Sequence, residues 1–275
     1  MSTKRSANAR SFAGKTALVT GASSGLGVAF AHELAGRGAH LLIAARREER
    51  LRQVASDLRD RYGATVTEVP VDLSDAAART SLYDRFAANG TIIDVLVNNA
   101  GRGAFGDFLS IPWHSERELL EVDVLALVHL TKLFVPAMVS RRFGYVLNLA
   151  STASFQPTPH QATYGAAKAF VLSLSEAMGY ELRGTGVSVT AVCPGPTDTE
   201  FFAVGGRGPT AFEKHSLMRS EQVARLSVDA ALRGRRSIVP GASNTIGALA
   251  GRLLPRGVSL PVVERLLRPN SQATS

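Results

Sequence analysis

The stretch from Lys15 to Gly38 constrains the fold more than any other part of this chain. Lys15-Thr-Ala-Leu-Val-Thr20 is a short apolar run, and Gly21-Ala-Ser-Ser-Gly25-Leu-Gly27 follows it at once. Val28-Ala-Phe-Ala-His-Glu-Leu-Ala35 then has helical spacing and stops at Gly36 and Gly38. A strand, a glycine turn and a helix in that order present backbone N–H groups and the positive end of a helix dipole to a diphosphate. Three glycines let the backbone approach such a ligand closely.

Similar apolar runs return near 16–20, 40–44, 65–70, 93–97, 144–149, 187–192 and 236–239, with helical stretches between most of them. Val- and Leu-rich strands in strict alternation with helices mean a parallel sheet covered on both faces. The expected class is α/β: one Rossmann-type doubly wound domain, with a seven-stranded parallel sheet flanked by helices. At 275 residues and 45% hydrophobic content the chain fits this without a second core. Beyond the alternation there is no internal repeat, and no segment is of low complexity.

A second constellation lies at 148–168, Asn-Leu-Ala-Ser151-Thr-Ala-Ser-Phe-Gln-Pro-Thr-Pro-His-Gln-Ala-Thr-Tyr164-Gly-Ala-Ala-Lys168. Tyr164 and Lys168 are i and i+4, so on a helix they share a face, where a cation favours the phenolate. A free phenol titrates near ~10, too high for proton exchange near neutrality, so the neighbouring ammonium has a physical purpose. Ser151 follows the apolar run Tyr145-Val-Leu-Asn-Leu149 and so sits at the mouth of a strand, within reach of a substrate oxygen. A Y-x-x-x-K pair alone recurs by accident on amphipathic helices. The glycine turn upstream changes its weight.

The glycine spacing is T-G-x-x-x-G-x-G. Together with Asn98-Asn-Ala-Gly101 after Ile93-Asp-Val-Leu-Val97, and Pro194-Gly195 after Val187-Ser-Val-Thr-Ala-Val192, it makes the chain resemble the classical short-chain dehydrogenase/reductase family from about Gly14 to about Pro240. The resemblance implies that Gly21, Gly25 and Gly27, with Ser23, Ser24 and Leu26 between them, form the phosphate-binding turn. It implies that Asp72, in Val71-Asp-Leu, contacts adenine, and that the stretch Asn98 to Gly101, with Asn98, Ala100 and Gly101 as its contacts, lies beside the adenine ribose. By the same resemblance, Pro194, Gly195 and Thr197 are expected to line the cofactor and Thr199 to contact the nicotinamide amide. Ser151, Tyr164 and Lys168 match three of the family's four catalytic residues, with Tyr164 and Lys168 also touching the cofactor.

The fourth position departs from the pattern. In the long helix expected over Glu116 to Val139, the family usually has Asn where Leu120-Glu-Val-Asp-Val-Leu carries Asp123. That Asn braces a local helix distortion and supports a water in a proton relay to the Lys. Asp is nearly the same shape and accepts the same hydrogen bonds, but it donates no amide N–H and carries charge. The relay is therefore open to question, and the core chemistry is not.

In Leu41-Leu-Ile-Ala-Ala45-Arg46-Arg47, the position where NAD enzymes of this family carry Asp is Ala45, and Arg46 follows it. Losing a carboxylate and gaining a guanidinium suits a 2′-phosphate, so the expected cofactor is NADP(H). The expected activity is hydride transfer between nicotinamide and a carbonyl compound or secondary alcohol, with Tyr164 moving the proton, Ser151 polarising the oxygen and Lys168 serving both. The alternative is a cofactor-binding regulatory or scaffold protein with impaired turnover, motivated by Asp123 alone.

The remaining features bound partners and surroundings. The six His show no metal-ligand spacing, so no metal site is expected. Cys193 is the single cysteine and reads as a small core residue in a reducing, cytoplasmic compartment. The formal charge is +8, but residues 1–10 and 251–275 each contribute a net +3, which argues against a nucleic-acid face. Residues 1–12 read as a disordered basic arm without a secretory core, residues 13–240 as the dehydrogenase domain, and 241–275 as an amphipathic extension.

No apolar run reaches the ~18 residues of a membrane span. In the extension, Pro261 is placed to open a short helix with Val262, Val263, Leu266 and Leu267 on one side. That helix either lies on an anionic bilayer at the inner membrane surface or packs on the body of the enzyme or on a partner subunit. Residues 200–219, with mobile Gly and several Phe, read as a lid over an apolar or lipid-like substrate. His160 is either a plain loop residue or part of the pocket wall. A homodimer or homotetramer is expected through helices near 115–140 and 161–183, with Leu119, Leu127, Leu130, Phe134, Phe170 and Leu174 as candidate apolar contacts.

Overall fold

The computed structural model describes residues 12–205, 208–210, 213–214 and 216–268. Seven strands form one parallel sheet: β1 Thr16–Thr20, β2 His40–Ala45, β3 Val66–Pro70, β4 Val95–Asn98, β5 Gly144–Leu149, β6 Val187–Val192 and β7 Ser237–Ile238. Their order across the sheet is β3-β2-β1-β4-β5-β6-β7. The order reverses between β1 and β4, where Ala17 pairs with Val95 and Val19 with Val97. A crevice opens at the carboxyl ends of the strands beside such a reversal.

The connecting helices are α1 Gly25–Gly36, α2 Glu48–Tyr62, α3 Ala76–Ala88, α4 Trp113–Leu120, α5 Leu127–Ser140, α6 Ala162–Glu181, α7 Phe201–Val204, α8 Ser220–Leu232, α9 Ala242–Leu253 and α10 Arg256–Leu267. Their ends follow local chemistry. Asp75 caps α3 by accepting the Ala77 N–H, and α2 carries Glu48 and Glu49 in its first turn and Arg59 and Arg61 in its last, matching the helix dipole. The core forms two layers, one on each face of the sheet. Phe30, Leu34, Ile43 and Leu51 belong to the first, and Leu18, Leu96, Leu130, Phe134 and Met138 to the second.

Several expectations are corrected. Residues 1–11 lie outside the described residues, but Phe12 is buried, edge-on to Tyr145 at 5.7 Å, so it belongs to the domain and not to the arm. The expected long helix runs from Trp113 to Ser140; no uninterrupted apolar run in it reaches the length of a membrane span, but by length and average composition the helix is long and apolar enough to cross one. It carries the buried Asp123 and packs Leu130, Phe134 and Met138 on the sheet, the arrangement of a core helix. Helix α10 begins at Arg256, with Pro255 at its cap, and Pro261 falls inside it. Of the apolar residues expected at a subunit contact, Leu119, Leu127, Leu130 and Phe134 are buried within the chain, whereas Phe170 is 44% exposed.

Candidate active site

One cleft of about 630 Å³ runs along the carboxyl ends of the strands, from the β1–α1 turn and Arg46 past Ser151, Tyr164 and Lys168 to α9 and α10. At its first end the glycine turn is held by contacts that leave no room for side chains. Gly21 has a left-handed backbone (φ 66°), and a Cβ there would press on Ala100. A Cβ at Gly27 would collide with the Gly21 carbonyl, so Gly27 shapes the turn from behind and is not part of the cleft wall.

Ser24 stands at the N-cap of α1 without a side-chain cap, and the first turn of α1 holds no acidic residue. The end of the helix therefore keeps its N–H groups and positive potential for an anion. Ser23, Ser24, Gly25 and Leu26 line the cleft with Gly21.

The polar residue that braces this turn is Asn99, which the resemblance placed only within the stretch beside the ribose, with no role of its own. Its Nδ2 donates to the Thr20 carbonyl at 2.8 Å, while the Thr20 hydroxyl accepts the N–H groups of Asn99 and Ala100 at 2.9 Å. Asn98, expected beside the ribose, points the other way. It is buried under the sheet, donating to Asn148 Oδ1 at 2.9 Å and Thr131 Oγ1 at 3.0 Å, and Asn148 continues to Ser175 at 2.9 Å. Strand alternation turns adjacent side chains to opposite faces, so Asn99 and not Asn98 belongs to the turn.

Beside the turn, Ala45 ends β2 and two guanidiniums follow. Arg46 pairs with Glu118 at 2.9 Å, and Arg47 reaches Glu200 at 3.0 Å and the Ser23 hydroxyl at 3.3 Å. Arg102 also pairs with Glu118. Asp72 lies on the same wall and accepts the Ser74 N–H at 2.9 Å and hydroxyl at 2.8 Å. Burial opposes its charge, but the two Ser74 bonds and nearby Arg46 hold its pKa below the ordinary value.

Ser151, Tyr164 and Lys168 converge midway along the cleft. Ser151 caps the 3₁₀ turn Thr152–Phe155, its oxygen accepting the Ala153 N–H at 3.1 Å. That leaves the hydroxyl proton to donate. Tyr164 stands in the first turn of α6, packed by Phe201 at 5.4 Å and Phe105 at 6.4 Å between ring centroids. Lys168 Nζ lies 5.7 Å from the phenol ring centre and donates to the Leu149 carbonyl at 2.8 Å.

Burial pushes the Tyr164 pKa up, and the opposing pull of Lys168 and Ser151 does not cancel it. The ammonium acts in the direction the sequence reading expected, but desolvation outweighs it. For Lys168, burial works against the charged form, yet Asp123 and Tyr164 keep its pKa above the ordinary value.

Asp123 sits in a π-helical turn, Glu121–Ala126, between α4 and α5. The wider turn is the distortion the family resemblance implied there, and it aims the side chain inward. Oδ1 accepts the Arg102 N–H at 2.8 Å, and Oδ2 lies 2.9 Å from Lys168 Nζ at angles outside hydrogen-bond geometry, an ion pair. Burial raises the Asp123 pKa against the pull of Lys168. The charged departure from the family pattern thus meets the active-site Lys directly.

On the far wall, Pro194, Gly195, Thr197 and Thr199 follow β6, and a Cβ at Gly195 would strike Asn244 of α9. Phe201 lines the cleft and Phe202 is buried beside it, so this part of the 200–219 segment covers Tyr164; residues 206–207, 211–212 and 215 lie outside the described residues. Cys193 is buried in the core, off the cleft, with its thiol pushed up to about 12 by burial. Among the described residues no three His, Cys, Asp or Glu gather at one metal-sized point.

A doubly wound sheet with an anion-ready turn at its switch point and a hydroxyl, a phenol and an ammonium beside it has the layout of a dinucleotide-dependent oxidoreductase. Residues 15–208 match the model of the short chain dehydrogenase family. An uncharacterised oxidoreductase of Bacillus subtilis is 30% identical, over 94% of this chain and 86% of its own. A very-long-chain 3-oxoacyl-CoA reductase of Anas platyrhynchos is 35% identical over 66% of this chain and 59% of its own.

Among solved structures, a short-chain dehydrogenase from Sphingobium yanoikuyae in complex with NADPH superposes with a TM-score of 0.78 at 28% identity, covering 95% of this chain and 98% of that one. A bulky-bulky ketone specific alcohol dehydrogenase from Comamonas testosteroni gives 0.73 at 25% identity, covering 95% and 97%. The chain belongs to the short-chain dehydrogenase family.

Proposed function

We propose that this oxidoreductase interconverts a carbonyl compound and a secondary alcohol with NADP(H). The observation that carries the reading is the meeting of Ser151, Tyr164 and Lys168 in one cleft with the glycine turn and Arg46. The open N–H groups at the start of α1 fit a diphosphate. Arg46 and Arg47, with no carboxylate at Ala45, fit a 2′-phosphate. When bound, the nicotinamide supplies or takes up hydride at the reacting carbon.

The chain's own residues do the rest. Ser151 donates a hydrogen bond to the substrate oxygen and keeps its proton, and Tyr164 gives that oxygen the one proton of the reduction or removes it in oxidation. Lys168 opposes the cost of a buried phenolate and is fixed by Asp123 and the Leu149 carbonyl. Phe105, Phe201 and Phe202 keep water from the phenol.

An apolar substrate is supported by the walls beyond Tyr164, which include Phe201, Leu254 and Val263. A homo-oligomer is supported by the exposed Leu125, Phe170 and Trp113 on the helices flanking the site. For the C-terminal extension, packing on the enzyme is the better supported of its two readings, because Val263 and Leu267 line the cleft.

The test is a panel of carbonyl compounds and alcohols with both cofactors, followed by nicotinamide absorbance, together with calorimetric titration of NADPH and NADH. Preference for NADPH is expected, and Ala45→Asp should reverse it. Equal affinity for the two cofactors would overturn the NADP(H) reading.

A further inference from the structure

The two C-terminal helices are held in different ways. Helix α9 is anchored along its length: Gly251 lies so close to the Gln156 side chain that a Cβ would collide with it, Asn244 Nδ2 donates to the Pro240 carbonyl at 2.9 Å, and Arg252 stands over the Phe155 ring at 5.3 Å. The chain then turns extended at Leu254 (ψ 138°) before Pro255, which ends one helix and opens the next.

Beyond that joint, α10 turns Val262, Val263, Leu266 and Leu267 to the cleft. Among the described residues its one side-chain polar contact with the rest of the chain is Glu264 Oε1 to His160 Nε2 at 3.4 Å. Arg268 donates to both Glu264 oxygens, at 2.9 and 3.1 Å, and keeps the carboxylate charged by holding its pKa low.

His160 is built to receive that contact. It is one of two non-glycine residues with positive φ among the described residues, at 62°. Its carbonyl accepts the Gly106 N–H at 2.9 Å, and its Nδ1 meets Asp107 Oδ1 at 2.9 Å. The ring thus fastens the loop after β4 to the segment four residues before Tyr164, and its second nitrogen is left for α10. Both nitrogens donate to their carboxylates together only in the doubly protonated ring.

We propose that Glu264 is a specificity-determining tether. By pairing with His160 it holds α10 as the outer apolar wall of the cleft, and the carbonyl compound accepted carries a bulky apolar group that rests on Val262, Val263, Leu266 and Leu267. This rests on the oxidoreductase reading and names its substrate class. A compound with only small substituents at the carbonyl does not reach α10, so loss of the tether is felt by large substrates alone.

The test compares the unaltered chain of residues 1–275 with Glu264→Ala and Glu264→Gln. Hydrogen exchange of residues 256–267 is measured with NADPH present, and kinetics are measured on a bulky aryl ketone and on butanone. In Glu264→Ala, exchange in 256–267 and KM for the aryl ketone should each rise about three- to fivefold, the size set by an exposed ion pair. The kcat on the aryl ketone and kcat/KM on butanone should stay level, and Glu264→Gln, which still accepts a hydrogen bond, should recover part of the loss.

Unchanged exchange and unchanged aryl-ketone KM in Glu264→Ala would overturn the tether. Equal losses on both ketones would overturn its role in specificity. If the unaltered protein reduced no ketone, the oxidoreductase reading and the substrate class would fall together, while the exchange measurement would still decide the tether.

Discussion

Burial decides the direction in which Tyr164, Asp123 and Cys193 titrate, whereas neighbouring charges and hydrogen bonds overcome it at Lys168 and Asp72. The Tyr164 phenol is pushed up by desolvation despite Lys168, so in the cofactor-free protein its phenolate absorbance should appear only above the ordinary phenol value of ~10. A difference titration against Tyr164→Phe isolates it from the other four tyrosines. Asp123 opposes the phenolate, so in Asp123→Asn the same transition should move to lower pH; a move upward would contradict the assigned sign. Tyr164→Phe should lower turnover by roughly 10²–10⁴ with cofactor affinity nearly intact, since it removes the proton donor and leaves the glycine turn and Lys168 in place. Cys193 should be inert to thiol reagents in the folded protein and react on unfolding, because burial holds its pKa at about 12.

At the scale of elements, two local structures carry the site. The β1–α1 turn works because nothing projects from Gly27 toward the Gly21 carbonyl. Gly27→Ala should lose NADPH binding by calorimetry and cost roughly 1–3 kcal/mol in denaturant unfolding, the range for overpacking a closed site. The π turn Glu121–Ala126 carries Asp123 to Lys168, and the two form a buried pair. Asp123→Leu leaves the Lys168 ammonium without its counter-charge and should cost about 3–5 kcal/mol in the same measurement. Asp123→Asn keeps an acceptor for the Arg102 N–H and should change turnover only modestly. A large gain would mean that the natural carboxylate impairs catalysis and would favour the regulatory or scaffold alternative.

At the scale of the whole molecule, the exposed Leu125, Phe170 and Trp113 should be covered by another copy of the chain, with light scattering giving a dimer or tetramer. A monomer at working concentration would rule this out. The sheet, its parallel sense and the glycine turn were legible in the sequence because strand runs and glycine spacings are local, and a period of two or 3.6 residues is written along the chain itself. The Ser151, Tyr164 and Lys168 cluster was legible because its members lie within one loop and one helical turn. What only the tertiary structure decided lies across long separations. Asn99 rather than Asn98 braces the turn because pairing with β1 fixes which face each side chain takes. Asp123 meets Lys168 because a widened turn rotates one residue inward. The C-terminal extension lines the cleft and is tied to His160 across 104 residues. No periodicity records such contacts, because they form only when packing brings distant segments to the same end of the sheet.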